Sequence, residues 1–112
     1  MIITLKNKHT LKIDDFYFKC SVGKHGLSKR KKEGDKKTPK GIFQIENLYF
    51  RKDRLKKPKT SLKSIEIKKD MGWCNDSNFP EKYNKLLKIE KKIKHEKLKR
   101  RDCKYDFLIP IK

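Results

Sequence analysis

Positive charge limits what this chain can fold into more than any other feature of its sequence. Lysine and arginine make up 33 of the 112 residues, against 14 aspartates and glutamates, and the formal net charge is +19. Charged residues are 42% of the chain and hydrophobic residues only 34%. Because like charges repel one another on compaction, we expect one domain with a small core and modest stability.

The same charge indicates a polyanionic partner, either nucleic acid, an anionic membrane or an anionic polymer. The cations are 28 lysines and five arginines, whereas arginine is the residue suited to base edges and bidentate phosphate contacts. We therefore expect no specific nucleic-acid partner, and any binding to nucleic acid to be weak and to fall steeply with salt. A small basic nucleic-acid-binding protein is the alternative function, and an AT-rich codon bias is the competing explanation of the lysines.

The cysteines and the N-terminus exclude several classes of protein. Cys20, Cys74 and Cys103 are far apart and form no Cys-x-x-Cys pair, so neither a zinc site nor a disulfide framework is predicted. No basic leader with a long apolar run opens the chain, and no stretch approaches the about 18 apolar residues of a membrane span. We expect no signal peptide, no transmembrane segment and no metal, and the compartment stays unknown.

Alternation of apolar and polar residues predicts a mainly β chain. Residues 2–5 and 11–13 flank an Asn-Lys-His turn and predict a hairpin. Short strands are also predicted at residues 42–50, 65–67 and 105–111, with a loop starting at residue 72.

Residues 16–22 alternate most clearly, with Phe16, Phe18 and Cys20 on one face. This period of two is typical of a half-buried strand. Because a glycine-rich segment follows, we expect the strand to pair antiparallel with one beginning near Ile42 and to turn its apolar face into the core.

Residues 81–101 are ambiguous. Pro80 suits the first position of a helix, and the apolar residues that follow approach helical spacing. Periodicity alone therefore predicts one long helix with a solvated lysine face.

The stretch at residues 23–41 is a long, basic loop punctuated by glycines. Loops beyond about 12 residues are usually functional or disordered. Thr38-Pro39 favours an extended approach to the next strand. This loop reads Lys-x-Glu-Gly-Asp and then Thr-Pro-x-Gly-x-Phe, from Lys31 to Phe43.

This spacing resembles the Gly-Asp-x-x-Thr-Pro-x-Gly-x-Phe/Tyr signature of L,D-transpeptidase (YkuD-like) catalytic domains. Gly-Trp-Cys-Asn-Asp at residues 72–76 and Tyr83-Asn84 resemble further elements of a compact subgroup, as do His-Glu-Lys-Leu at residues 95–98 and Tyr105-Asp106. The elements occur in order over nearly the whole chain, so the resemblance is to the N-terminal two-thirds of such a domain.

The resemblance implies a truncated mixed β-sandwich with extended chain near residues 84–90 and a short helix near residues 95–101. It also implies that the long loop borders a substrate cleft. The candidate cleft residues in this loop are Lys31, Glu33, Gly34, Asp35, Thr38, Pro39 and Gly41. Trp73 is a possible cleft aromatic that could stack on a sugar ring, or it could equally fill the core.

By resemblance, the activity is cysteine-dependent acyl transfer on peptidoglycan stem peptides at the cell envelope, and no metal or organic cofactor is implied. The family's nucleophile lies in a Ser/Thr-x-Gly-Cys segment with a histidine base upstream of it, and both follow the strand that matches residues 105–111. Neither Ser-x-Gly-Cys nor Thr-x-Gly-Cys occurs in the 112 residues. We therefore expect residues 1–112 to be a single partial domain that lacks the C-terminal catalytic segment, contains no catalytic residue and is inactive alone.

Cys74 and His95 are the one cysteine–histidine pair whose segments could meet and substitute for that machinery. A thiolate needs a base within hydrogen-bond reach. Both residues match positions that are not the family's nucleophile or base, and we expect a structural cysteine and a surface histidine.

Overall fold

The computed structural model describes all residues, 1–112, and its elements are strands joined by turns and loops. This confirms the mainly β prediction. None of its elements is a helix long and apolar enough to cross a membrane. The chain divides into two compact units, Met1–Ile42 and Phe43–Lys112.

The first unit opens with a three-stranded antiparallel sheet in the order β1-β2-β3. Its strands are β1 (Ile3–Asn7), β2 (Thr10–Ile13) and β3 (Phe16–Lys19). The predicted hairpin of β1 and β2 is confirmed, and the Asn7 side-chain oxygen accepts the amide of His9 within its turn at 2.9 Å. Two short parallel strands follow, β4 (Leu27–Ser28) and β5 (Thr38–Pro39).

The predicted pairing of residues 16–22 is wrong. Strand β3 pairs with β2, through a turn in which Asp14 has a φ of 52°, a conformation that aspartate tolerates better than most residues. Strand β2 is the partner because closing a two-residue turn costs less chain entropy than closing a loop of about 20 residues. Phe16 and Phe18 are 68% and 49% exposed, so their predicted burial is wrong too.

The second unit contains two three-stranded sheets, in the orders β11-β6-β7 and β10-β8-β9. Strands β6 and β7 are parallel, and the other pairs are antiparallel. The strands are β6 (Leu48–Phe50), β7 (Ser64–Glu66), β8 (Met71–Cys74), β9 (Leu86–Lys88), β10 (His95–Lys97) and β11 (Phe107–Leu108).

A buried cluster lies in the core of the second unit. Tyr49, Ile67 and Leu98 are its buried members. Half-buried side chains from both sheets pack against them, namely Ile65, Met71, Trp73, Tyr105 and Leu108. The core is small, as the charge of the chain predicts, and the family's mixed sandwich stays a prediction.

The short helix predicted near residues 95–101 is wrong, as is the long helix that periodicity predicts. Residues 95–97 form β10, and the predicted extended chain near residues 84–90 is confirmed by β9. Strand β8 stands between them, where a loop was expected, and supplies backbone partners to both. A helix would instead set like-charged lysines one turn apart, where they repel.

The strands predicted at residues 42–50 and 105–111 are shorter in the structure than expected. Between residues 42 and 50 only Leu48–Phe50 is a strand, and Ile42 is fully exposed. Ile45 makes an isolated antiparallel bridge with Ile111. The strand predicted at residues 105–111 is reduced to Phe107–Leu108 and this bridge.

Candidate functional site

The two arms of the long loop, here called the glycine loop (residues 23–40), are joined by hydrogen bonds. The amide of Gly23 donates to the Thr38 hydroxyl at 2.7 Å. Three backbone bonds of 2.8 Å continue the contact, from His25 to Lys36, from Thr38 to Gly26 and from Lys40 to Ser28. Thr38 therefore fastens the loop at its neck with both its side chain and its backbone.

Asp35 organises the tip of the glycine loop. Its carboxylate accepts hydrogen bonds from the Lys31 ammonium at 2.6 Å, the Lys32 amide at 2.8 Å and the Lys37 amide at 2.9 Å. Its carbonyl lies 3.1 Å from His25 Nδ1. One side chain thus binds backbone on both sides of itself and fixes the turn, which explains why an aspartate suits this position.

The two glycines that flank these contacts serve different needs. Gly34 has a φ of +75° with open space around it, so the turn needs its backbone conformation. At Gly23, a Cβ would lie 2.5 Å from the Lys36 carbonyl oxygen and 2.8 Å from backbone atoms of Lys37. Gly23 is therefore required because the opposite arm crosses directly over it.

Asp35 gives the glycine loop a pH dependence. The hydrogen bond from Lys31, followed by that from the Lys32 amide, holds the pKa of Asp35 well below its ordinary value of 3.8. A carboxyl whose folded pKa is depressed stabilises the fold above its unfolded pKa, and this contribution is lost as the pH falls.

We expect the amides of Lys32 and Lys37 to lose their hydrogen bonds as the pH falls from about 5 towards and below the folded pKa. Asp35→Asn should abolish this transition and loosen the loop at neutral pH. NMR spectra of both amides across an acid titration measure it. Asp15→Asn removes an equal charge at an exposed position, and an identical change of the transition in this control would contradict the assignment.

The remaining candidate cleft residues lie along the same loop. Lys31 and Glu33 are exposed at its tip, Pro39 is half-buried in β5, and Gly41 is exposed just beyond. All seven predicted loop residues therefore lie in the first unit. Several of them maintain the conformation of the loop through hydrogen bonds or through their backbone geometry.

Trp73 lies in the second unit, on β8. It is half-buried and packs against the core cluster. Its indole nitrogen donates to the Asn84 side-chain oxygen at 2.9 Å. Asn84 has a φ of 56° and donates its own amide to the Cys74 carbonyl, so it also forms the turn between β8 and β9.

Cys74 and His95 do meet, as opposite residues of β8 and β10. Cys74 is 1% exposed, and its thiol points to the Asp76 carbonyl at 4.0 Å. His95 Nδ1 lies 2.8 Å from the Ile93 carbonyl. No hydrogen bond joins the thiol to the imidazole, and a buried thiol without a base is a poor nucleophile.

The acidic, histidine and cysteine side chains form no metal site, and the buried acid Asp76 is bound by backbone amides instead. No three His, Cys, Asp or Glu side chains are gathered closely enough to hold a metal ion. Asp76 is buried and accepts the amides of Asn78 and Lys94, each at 3.0 Å. The bond from Lys94 is the main reason that the pKa of Asp76 is lowered.

Sequence reasoning missed an arginine clamp on the turn at residues 100–102. Arg54 donates to the carbonyls of Arg100, Arg101 and Asp102 at 2.8–2.9 Å. Arg51 is buried, pairs with Asp53 at 2.8 Å and also donates to the Arg100 carbonyl. The available signal was that the chain has only five arginines among its 33 cations. Where an arginine does occur, its planar fork of donors can hold several carbonyls at once, which a lysine cannot do.

Comparison with known proteins identifies the family. The family model described as the L,D-transpeptidase catalytic domain (YkuD) matches residues 2–102. Neither a search of curated proteins nor a search of solved structures gave a significant match. The match spans most of the chain and includes the glycine loop, β8 and β10. The chain belongs to the YkuD family of L,D-transpeptidase catalytic domains.

Proposed function

We propose that this chain supplies the substrate-side scaffold of a peptidoglycan L,D-transpeptidase, an enzyme that cross-links cell-wall stem peptides by cysteine-dependent acyl transfer. The observation that carries the proposal is the family match over residues 2–102. The ordered glycine loop supports it, since Asp35 and Thr38 of the family's signature are the residues that shape the loop.

The proposed chemistry needs a thiolate, a base and donors for the oxyanion. The thiolate attacks the carbonyl carbon of an L,D peptide bond, a thioester forms, and the C–N bond breaks as the leaving amine takes a proton. An acceptor amine then attacks the thioester, forms the new amide, loses a proton and releases the thiolate.

We infer that none of the three cysteines in residues 1–112 is that nucleophile. Cys74 is buried, Cys20 is half-buried and Cys103 is exposed, and none has a histidine ring as a hydrogen-bond partner. The Ser/Thr-x-Gly-Cys segment that holds the nucleophile in family members does not occur in residues 1–112. We propose that the glycine loop is the candidate contact for the stem peptide in the first unit and that Trp73 is a separate candidate contact in the second unit.

Acylation by a carbapenem, which acylates the cysteine of family members, tests the proposal. We expect no adduct in the mass spectrum of the 112-residue chain. A fusion to a family C-terminal segment with the Ser/Thr-x-Gly-Cys motif should give one adduct per chain. Gly23→Ala in the fusion should slow acylation, because it opens the glycine loop.

Two cysteine variants serve as controls. Cys103 is exposed, so an adduct that disappears in Cys103→Ser is reaction with a surface thiol. A stoichiometric adduct on the chain alone that disappears in Cys74→Ser would make Cys74 a nucleophile. That outcome, or a fusion that folds and stays unmodified, would refute the proposal.

A further inference from the structure

The outer edge of strand β3 carries backbone groups without a partner. The Cys20 amide donates to the His9 carbonyl at 2.9 Å, in the register that joins β2 and β3. Hydrogen-bonded and non-hydrogen-bonded pairs alternate along an antiparallel ladder, so the N–H and C=O groups of Tyr17 and Lys19 point away from β2. No other segment of residues 1–112 bonds to them.

The opposite edge of the same sheet is less open. The pairing of β1 with β2 is irregular between Leu5 and Asn7, and an irregularity of this kind bends a strand and hinders the addition of another. Strand β3 pairs with β2 without a shift in register, and all four of its residues are exposed. Of the two edges, β3 is therefore the one that can accept a further strand.

One face beside the β3 edge is apolar. Phe16 and Phe18 are 68% and 49% exposed, and they lie opposite Ile13 and Leu11 of β2. Opposite residues of paired strands have their side chains on the same face, so these four residues form a continuous apolar strip. None of the chain's buried hydrophobic side chains belongs to the first unit. An apolar side chain on an added strand would cover part of this strip.

The other face of the same edge is basic. Tyr17 lies opposite Lys12, whose ammonium is 5.9 Å from the centre of the Tyr17 ring, and Lys19 follows on the same face. Neither lysine forms a salt bridge. Asp14 and Asp15 lie in the turn, at the end of β3 away from Lys19. The free charge along this face is therefore positive.

We propose that β3 binds an extended segment of another protein in which acidic and apolar residues alternate, added antiparallel to its edge. The side chains of a strand point alternately to its two faces. Such a segment therefore sets its apolar residues on the apolar strip and its acids beside Lys12 and Lys19. Backbone bonds to Tyr17 and Lys19 supply affinity, and the two faces supply selectivity. The proposal is independent of the transpeptidase function.

Charge and backbone chemistry select this partner over the others that a basic surface can attract. A nucleic acid or an anionic membrane offers negative charge but no row of backbone N–H and C=O groups to complete the edge. A second copy of this chain, joined through its own β3, would set further lysines beside those of the first. Like charges on neighbouring strands are destabilising.

An NMR titration of the 112-residue chain with the peptide acetyl-Glu-Val-Glu-Val-Glu-Val-amide tests the proposal. Shifts should concentrate at residues 16–19, and the amides of Tyr17 and Lys19 should become protected from hydrogen exchange. The blocked peptide acetyl-Glu-Glu-Glu-Val-Val-Val-amide has the same charge but cannot place its acids on one face. It should therefore bind at least about fivefold more weakly.

N-methylation of the peptide separates strand addition from attraction between charges, because it removes a backbone donor and keeps the side-chain charge. In the antiparallel arrangement, the glutamate amides face Tyr17 and Lys19, and the valine amides face solvent. N-methylation of the glutamates should therefore weaken binding at least about tenfold, whereas N-methylation of the valines should change it little. Both peptides leave the protein unaltered, so a failure to fold cannot imitate the result.

Protein variants test the basic face. Lys12→Gln and Lys19→Gln should each weaken binding of the alternating peptide by about threefold. Lys40→Gln is the matched control, because Lys40 is exposed in the same unit, lies outside the sheet of β1 to β3 and loses the same charge. It should leave binding unchanged. Equal binding of the two N-methylated peptides, equal binding of the alternating and blocked peptides, or equal weakening by Lys40→Gln would overturn the proposal.

Discussion

Replacing Leu98 by alanine is expected to destabilise the second unit by about 2–5 kcal/mol, the range for deleting a fully buried leucine side chain. Leu98 has no exposed surface and packs in the core cluster with Tyr49 and Ile67. Domains are stable by only about 5–15 kcal/mol, and a net charge of +19 works against this one. The variant should therefore lose much of the unit's stability.

Urea unfolding followed by the fluorescence of Trp73 measures this loss, because Trp73 is the one tryptophan and packs on the same cluster. Leu86→Ala is the matched control. Leu86 is 36% exposed on β9, so the same truncation should cost less than about 1 kcal/mol. Equal destabilisation by the two variants would show that the core cluster does not hold the unit together.

Replacing Gly23 by alanine is expected to open the neck of the glycine loop. The new Cβ would lie 2.5 Å from the Lys36 carbonyl oxygen, and no side-chain rotation can relieve a contact with backbone. Overpacking of this kind costs about 1–3 kcal/mol, occasionally more. The bond from the Gly23 amide to the Thr38 hydroxyl should break as the two arms separate.

Hydrogen exchange at the amides of residue 23 and Thr38 reads this opening directly. Gly34→Ala is the comparison, because no atom lies within 4 Å of its added Cβ and only its positive φ opposes the change. It should strain the tip and leave the neck closed. Slow exchange at both amides in Gly23→Ala would mean that the arms can shift apart without breaking, contrary to the expectation.

Local patterns predicted the strands whose partner is near in sequence. The hairpin of β1 and β2 follows from two apolar runs around a short turn, and the turn chemistry of Asn7 supports it. The partner of β3 did not follow, because alternation reports which face is apolar and says nothing of which neighbour pairs. Phe16 and Phe18 show the further error of equating an apolar face with a buried one.

The long helix that periodicity predicts over residues 81–101 failed for a related reason. Lysine spacing is compatible with a helix or a strand, and the deciding factor is the backbone of β8, which is some 20 residues away. The resemblance predicted the extended chain around β9 but also implied the short helix near residues 95–101, where β10 lies instead. It carries information on distant partners that a single window of sequence does not contain.

For the candidate site, the sequence predicted a structured loop, and the residues of its signature form the hydrogen bonds that shape it. Asp35 and Thr38 were identifiable because their bonds are made within the loop. The arginine clamp was not, since it joins residues about 50 positions apart. Such a contact becomes visible only when the fold brings both segments together.

Strand β3 is an edge of its sheet, and its aromatic residues Phe16, Tyr17 and Phe18 are exposed. An open apolar edge is a template on which a second chain can add a strand. Lys12 and Lys19 border it, in a molecule with a net charge of +19. The lysines that restrict the core should therefore also make copies of the chain repel one another. The solubility of the chain is then expected to depend on ionic strength. Salt that screens the charge removes this protection.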